Sequence, residues 1–186
     1  MELMEAIYKR RSVRFFTEEK VDKDVIDTLL NAAVQAPSAM NNQPWAFGVI
    51  QDKELMKKIS DDSKAYLLAG IGSKPFLEGY RQLFSNPDYN IFYNAPVLLT
   101  VFARPEGPNP AVDCALAAQN IMLAAHALGL GTCWIGFAQM SFNLPELKEL
   151  LGIPKEYSAV APIILGHPAK ASPEIVKKDP EILFRK

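Results

Sequence analysis

Apolar positions recur along this chain with two different periods and divide it into helical and extended segments. Leu3, Met4 and Ile7 fall on one face of a short helix over 2–10. Val25, Ile26, Leu29, Leu30 and Ala33 recur at helical spacing over 23–35, with Asp22 placed to cap that helix and Pro37 to end it. Apolar runs over 45–50 (WAFGVI), 96–103 (PVLLTVFA) and 158–165 read as buried strands. Residues 53–60 and 145–151 fit short helices, and 133–137 (CWIGF) a short strand or turn. Over 61–95 no single period holds. Gly70, Gly72, Pro75 and the Asn-Pro-Asp at 86–88 predict short helices and a mobile excursion able to act as a lid. Strands that are few and separated by helices make an α+β protein with a small central sheet.

The strongest helix runs from 110 to 128. Asn109 stands at its N-cap, Pro110 at its first position and Asp113 in its first turn, while Gly129 supplies the stop. Between Val112 and Leu128 only Asp113, Gln119, Asn120 and His126 are distinctly polar. A helix apolar nearly all round is buried on nearly all sides. In so short a chain that predicts burial against a second subunit, the other reading being a central core helix of one subunit. The tail, 171–186, carries Pro173, Pro180, several charges and the apolar pair Leu183-Phe184, and is expected to pack on a neighbouring subunit or to fray.

Composition narrows the chemistry. The 186 residues make one ordinary domain, 1–186, and a formal net charge of −1 gives no global basic excess for nucleic acid. Cys114 and Cys133 lack CxxC spacing, and His126 and His167 have no metal-binding spacing, so no metal site is expected. The start, MELMEAIYKRR, has no apolar signal region, and no apolar stretch is long enough to span a membrane; the expected compartment is the cytoplasm.

Four segments can carry chemistry. In Arg10-Arg11-Ser12-Val13-Arg14, an extended backbone puts residues 10, 12 and 14 on one face, two guanidiniums and a hydroxyl suited to a phosphate and a polar ring edge. The loop Ala36–Trp45 (APSAMNNQPW) sets a hydroxyl and three amides between two prolines, a stiff frame able to read a ring's donors and acceptors. Gly129–Gly136 (GLGTCWIG) allows close backbone approach to a flat ligand, and lacks the GxGxxG pattern of a dinucleotide fold. Leu165–Lys170 (LGHPAK) closes a strand and brings a lysine near. Each segment alone also reads as ordinary structure: a solvated basic patch, a connection of turn residues, a helix stop before a core strand, a turn.

Taken together, RRSVR, APSAMNNQPW, GLGTCWIGF and LGHPAK, in this order and spacing from about residue 3 to 170, resemble the nitroreductase family of FMN enzymes. The resemblance implies a three-layer α+β sandwich with a mainly antiparallel sheet, an intertwined homodimer with FMN at the subunit interface, and ping-pong hydride transfer from NADH or NADPH to a small electron-poor acceptor such as a nitroaromatic or a quinone. It assigns Arg10 and Ser12 to the FMN phosphate and ribityl chain, with Arg11 assisting, and Arg14 to the flavin N1–O2 edge. Pro37, Ser38, Ala39 and Asn41 become a wall from the other subunit, with Gln43 supporting that loop. Cys133, Trp134, Ile135 and Gly136 lie near the ring and N5. A C-terminal cation for the phosphate is sought among Lys170, Lys177, Lys178 and Arg185, with Lys170 preferred, and a second ring-edge contact is sought within 62–68. The flavin carries the chemistry, which is why no nucleophile or carboxylate pair stands out. Two alternatives stay open: a flavin-fragmenting or dehalogenating relative with the same fold, and a non-enzymatic flavin-binding redox module.

Overall fold

A computed structural model describes residues 1–186. Strands β1 (Trp45–Ile50), β2 (Val97–Ala103), β3 (Gly131–Trp134) and β4 (Ser158–Gly166) form one antiparallel sheet in the order β1-β2-β4-β3. The central strands β2 and β4 are buried on both faces, as their unbroken apolar runs require. Along β2, Val97, Leu99, Val101 and Ala103 face one core while Leu98 and Phe102 face the other. Where Phe102 pairs with Ala159, the register against β4 shifts at a bulge that sends both Val160 and Ala161 to the first core.

Helices α2 (Lys23–Ala33) and α5 (Pro110–Ala127) cover the first face, packed on each other and on the sheet. Helices α3 (Lys53–Gly70), α6 (Gly136–Ser141) and α7 (Pro145–Leu151) cover the second. The three layers agree with the expected sandwich. The short α1 (Leu3–Lys9) leans on α5 with only Ala6 buried, leaving Leu3, Met4, Ile7 and Tyr8 exposed.

Several sequence expectations are corrected. The helix expected over 53–60 continues to Gly70. Its second half hides its period because buried Ser60, Ser63 and Lys64 share the inward face with Leu67. The expected strand or turn at 133–137 is a strand ending at Trp134 followed by α6, a helix not anticipated. Asp22 and Asn109 occupy the N-cap positions, but neither side chain makes a capping bond. Gly129, at φ +79°, ends α5 as expected, with the N–H of Leu130 bonded to the carbonyl of Ala125 at 2.8 Å. Within one chain α5 is not buried all round: Val112, Leu116 and Leu128 remain exposed.

The 71–95 excursion consists of 3-10 turns at Ile71–Ser73 and Pro75–Tyr80 and the single-turn α4 (Arg81–Ser85). Buried Lys64 staples its return path to α3. Its Nζ donates to the carbonyls of Asn86 (3.1 Å) and Tyr89 (2.7 Å) and pairs with Asp61 at 3.0 Å. Lys64→Met strands those two carbonyls, each costing about 1–3 kcal/mol when unsatisfied. The expected outcome is a lower denaturant midpoint together with faster amide exchange over 86–94, while β2 and β4 keep their protection.

Candidate functional site

The basic N-terminal segment is laid against β3. Ser12 bridges Thr132 in parallel, the N–H of Val13 donates to the Thr132 carbonyl at 2.9 Å, and Val13 is buried. Gly131 makes this approach possible, since a Cβ there would lie 2.7 Å from Val13 Cβ. Further on, Phe16 bridges Pro168, and the N–H of Ala169 reaches the Phe15 carbonyl at 2.9 Å. This second pairing sets Lys170 over the Phe15 ring, Nζ 3.4 Å from the centroid.

Two cavities open along this track. The first, about 280 Å³, is basic: Lys9, Arg10, Arg11 and Lys170 line it with His126, Thr132 and Ser172. Of the four candidate C-terminal cations, Lys170 lines this cavity with Arg10 and Arg11. One Arg11 nitrogen is spent on the end of α1, donating to the carbonyls of Tyr8 (2.6 Å) and Arg10 (2.9 Å). The second cavity, about 460 Å³, is apolar and aromatic. Arg14, Cys133, Trp134, Ile135 and Gly136 line it, joined by Phe76 and Leu77 of the excursion, Tyr93 and Phe137. Four residue steps of extended chain carry Arg10 to Arg14, about 13 Å of backbone. One edge of the molecule therefore offers a cationic end and an apolar end, with Ser12, which lines neither cavity, between them in the chain.

Local chemistry at this edge is cationic rather than nucleophilic. Burial pushes the Cys133 thiol up, against the opposing pull of Arg14, a hydrogen bond with Ser12 and Arg10. Burial, with Asp113 adding to it, pushes Cys114 up to about 12. Both sulfurs stay protonated at neutral pH. The N–H of Ile135 is taken by the Pro162 carbonyl at 2.8 Å, so that amide is not free for a ligand. No group of three or more His, Cys, Asp or Glu is placed to hold a metal ion, and no helix is long and apolar enough to cross a membrane.

The 37–43 loop lies elsewhere. It leads into β1, at the sheet edge opposite β3, three strand spacings or about 14 Å away. None of the principal cavities is lined by both. The loop is strained, with Met40, Asn41 and Gln43 at φ +53°, +55° and +48°. Side chains hold it there. The N–H of Gln43 donates to Ser38 Oγ (3.0 Å) and its side-chain amide to Asn41 Oδ1 (3.1 Å), and Asn42 Nδ2 donates to the Ala39 carbonyl (2.8 Å). Arg104 donates to the Gln43 carbonyl at 2.8 Å. Asp113, 4 % exposed in the first turn of α5, accepts the N–H of Ala39 at 3.2 Å on each carboxylate oxygen. The amides of Asn42 and Gln43 are thus committed within the loop, and exposed Met40 forms its tip.

Sequence reasoning missed Lys9, His126 and Ser172 at the basic cavity and Phe76, Leu77, Ile91, Tyr93 and Met140 at the aromatic one. Phe137 and Thr132 stood inside GLGTCWIGF, and Phe76, Leu77, Ile91 and Tyr93 inside the 61–95 excursion, but none of them was singled out by residue. From 62–68 no residue reaches either cavity; Lys64 there is committed to the excursion.

A scan against family models matches the Nitroreductase family over residues 7–167. A putative NADH dehydrogenase/NAD(P)H nitroreductase of Archaeoglobus fulgidus is 34% identical over 167 residues, covering 90% of this chain and 86% of that protein. An FMN reductase [NAD(P)H] of Bacillus subtilis is 34% identical over 179 residues, covering 92% and 68%. Among solved structures, a nitroreductase with bound FMN from Desulfitobacterium hafniense superposes with a TM-score of 0.84 at 30% identity, covering 100% of both chains. The chain belongs to the nitroreductase family.

The basic cavity yields a pH prediction. His126 Nε2 is buried without a partner, and burial, then Arg10 and Arg11, hold its pKa below the ordinary value. A histidine whose folded pKa is depressed contributes stability above the unfolded value near 6.5, and that contribution is lost as pH falls toward the folded value. The imidazole resonances of His126 should titrate with a midpoint below about 6.5, and thermal stability should decline as pH drops through that range. A midpoint at or above that value refutes the burial argument.

Proposed function

We propose that this chain, as a homodimer, uses NADH or NADPH to reduce small electron-poor acceptors such as nitroaromatics or quinones through bound FMN. It is an NAD(P)H-dependent FMN oxidoreductase of the nitroreductase family. The observation that carries the finer reading is the track along β3, with a basic cavity at one end and an aromatic cavity with a single cation at the other.

The residues present fit FMN. Arg10 and Lys170 supply cations for the phosphate, with Arg11 contributing what its capping bonds leave, and Ser12 lies between phosphate and ring. Arg14 is the cation available to the ring's pyrimidine edge, where it favours the negative charge that reduction places there. Trp134 and Gly136 border the ring space. When bound, FMN supplies the hydride and electron chemistry. The protein positions, excludes water through Phe76, Leu77 and Phe137, and biases the potential. Donor and acceptor would use this one apolar space in turn, which is ping-pong behaviour.

A second copy completes the site. The strained loop with Pro37, Ser38, Ala39 and Asn41, supported by Gln43, cannot reach the aromatic cavity of its own chain across the sheet, but can wall that of a partner. Exposed apolar side chains on α1 (Leu3, Met4, Ile7), on α5 (Val112, Leu116) and on the tail (Ile175, Val176, Leu183, Phe184) are the surface such a dimer covers. The tail lacks regular structure and buries none of these in its own chain, which suits packing on the partner.

The deciding experiment is the absorbance of the purified protein followed by anaerobic NADH and then NADPH. Flavin bands that bleach with either donor, and recover on menadione or a nitrofuran with parallel double-reciprocal lines, are expected; bleaching with neither rejects the reading in favour of a non-enzymatic flavin module. A benzimidazole product after aerobic reduction identifies flavin fragmentation instead, and halide release from a halogenated aromatic identifies dehalogenation. Light scattering should give a dimer mass. Arg10→Ala should weaken FMN about tenfold or more, the value of a charge-assisted bond, and leave riboflavin affinity unchanged because riboflavin has no phosphate. Equal losses for both ligands refute the phosphate role of Arg10.

A further inference from the structure

Arg14 is a cation without a carboxylate, and it enters no ion pair. What holds its guanidinium is the Tyr93 ring, with Cζ 5.9 Å from the centroid. The two line the aromatic cavity together.

Tyr93 is itself held from several sides. Tyr93 and Asn94 both sit at φ +53°, two consecutive side-chain-bearing residues in the left-handed region. Asn90 fixes that conformation: its Oδ1 accepts the N–H of Phe92 at 2.8 Å, its Nδ2 donates to Asn94 Oδ1 at 3.0 Å, and its carbonyl accepts the N–H of Tyr93 at 2.9 Å. The Tyr89 hydroxyl donates to the Tyr93 hydroxyl at 3.2 Å, with the rings edge-to-face. Tyr89 is tied in turn to α3 through the Lys64 bond to its carbonyl. A continuous line of contacts therefore runs from α3 through Lys64, Tyr89 and Tyr93 to Arg14. Strain that the surroundings over-determine in this way collects where placement of a group matters to function.

We propose that Tyr93 is a positioning residue whose ring holds the Arg14 guanidinium in the cavity and thereby sets how strongly the site prefers reduced over oxidised FMN. The proposal rests on the reading of Arg14 given above. It makes the 86–94 return of the excursion part of the redox machinery as well as a wall. The Tyr93 hydroxyl is not required for the effect, since the cation meets the ring face; Tyr89 uses it to orient that ring.

The test is the midpoint potential of bound FMN in Tyr93→Phe, Tyr93→Leu, Arg14→Ala and the Arg14→Ala/Tyr93→Leu double variant. A role confined to structural support would lower thermal stability without moving the potential. The expected results are near wild type for Tyr93→Phe and a loss of about fivefold in the reduced-over-oxidised affinity ratio for Tyr93→Leu, the value of one cation–π contact. A larger loss is expected for Arg14→Ala, with the double variant equal to Arg14→Ala alone. If Tyr93→Leu does not fold, Tyr93→Asn, which suits a left-handed backbone, replaces it with the same expectation. An unchanged potential without the ring, or losses that add in the double variant, overturns the proposal while leaving the FMN reading intact. If Arg14→Ala itself leaves the potential unmoved, the Arg14 assignment falls and this proposal with it. In the FMN-free protein, the Arg14 Nε–H resonance should lose its ring-current shift in Tyr93→Leu, and its persistence there also overturns the proposal.

Discussion

The architecture of the site depends on one pairing, that of Ser12 and Val13 with Thr132. It needs a residue without a side chain at 131, because any Cβ there collides with Val13. It also needs β3 to be the sheet edge, since only an edge strand has backbone groups left for another segment. Once made, it carries Arg10, Arg11 and Arg14 from the C-terminal end of α1 along the edge of the sheet. It then guides the chain to Pro168 and Ala169, which brings Lys170 back to Arg10. Residues 10, 11 and 170 become one electrostatic feature through backbone pairing, with Arg14 further along the same edge.

Cations collected this way repel one another, and the structure leaves them largely uncompensated. Arg10 and Arg11 add to the burial that depresses the pKa of His126 beside them, and Arg14 has an aromatic ring where a carboxylate would neutralise it. An uncompensated cationic edge carries a repulsion that a bound anion relieves. The opposite edge carries the complementary kind of expense, in backbone strain at Met40, Asn41 and Gln43 restrained by Ser38, Arg104 and buried Asp113. Both costs fall in segments proposed to meet the cofactor, where a protein selected for stability alone would carry neither.

Much of the fold was legible. Strand 97–103 and the helix from Pro110 to Gly129 show in the sequence because strict burial on a sheet, or a proline start with a glycine stop, leaves local marks; 45–50 shows as an apolar run, although it is an edge strand only partly buried in the chain. The helix to Gly70 and the helix after Ile135 were not legible. In the first, serines and a lysine occupy the inward face, and Ser60 and Lys64 find their partners 22 to 31 residues away in sequence, such as the N–H of Ile91 that the Ser60 hydroxyl accepts. The second is six residues long, too short to show a period.

For the site, the sequence by itself determined which residues are special: the arginine-rich segment, the proline-bounded amide loop, the glycine-flanked β3 and Lys170, each recognisable because its chemistry departs from what a plain turn or strand needs. The tertiary structure alone decided how they group. It joined Lys170 to Arg10, divided Arg10 from Arg14 between two cavities, set the amide loop at the far edge of the sheet and put Tyr93 under Arg14. The reason is physical. A residue's chemistry is local and can be read from its neighbours in the chain, whereas its partners are set by sheet order and strand register, which depend on pairings between segments tens of residues apart.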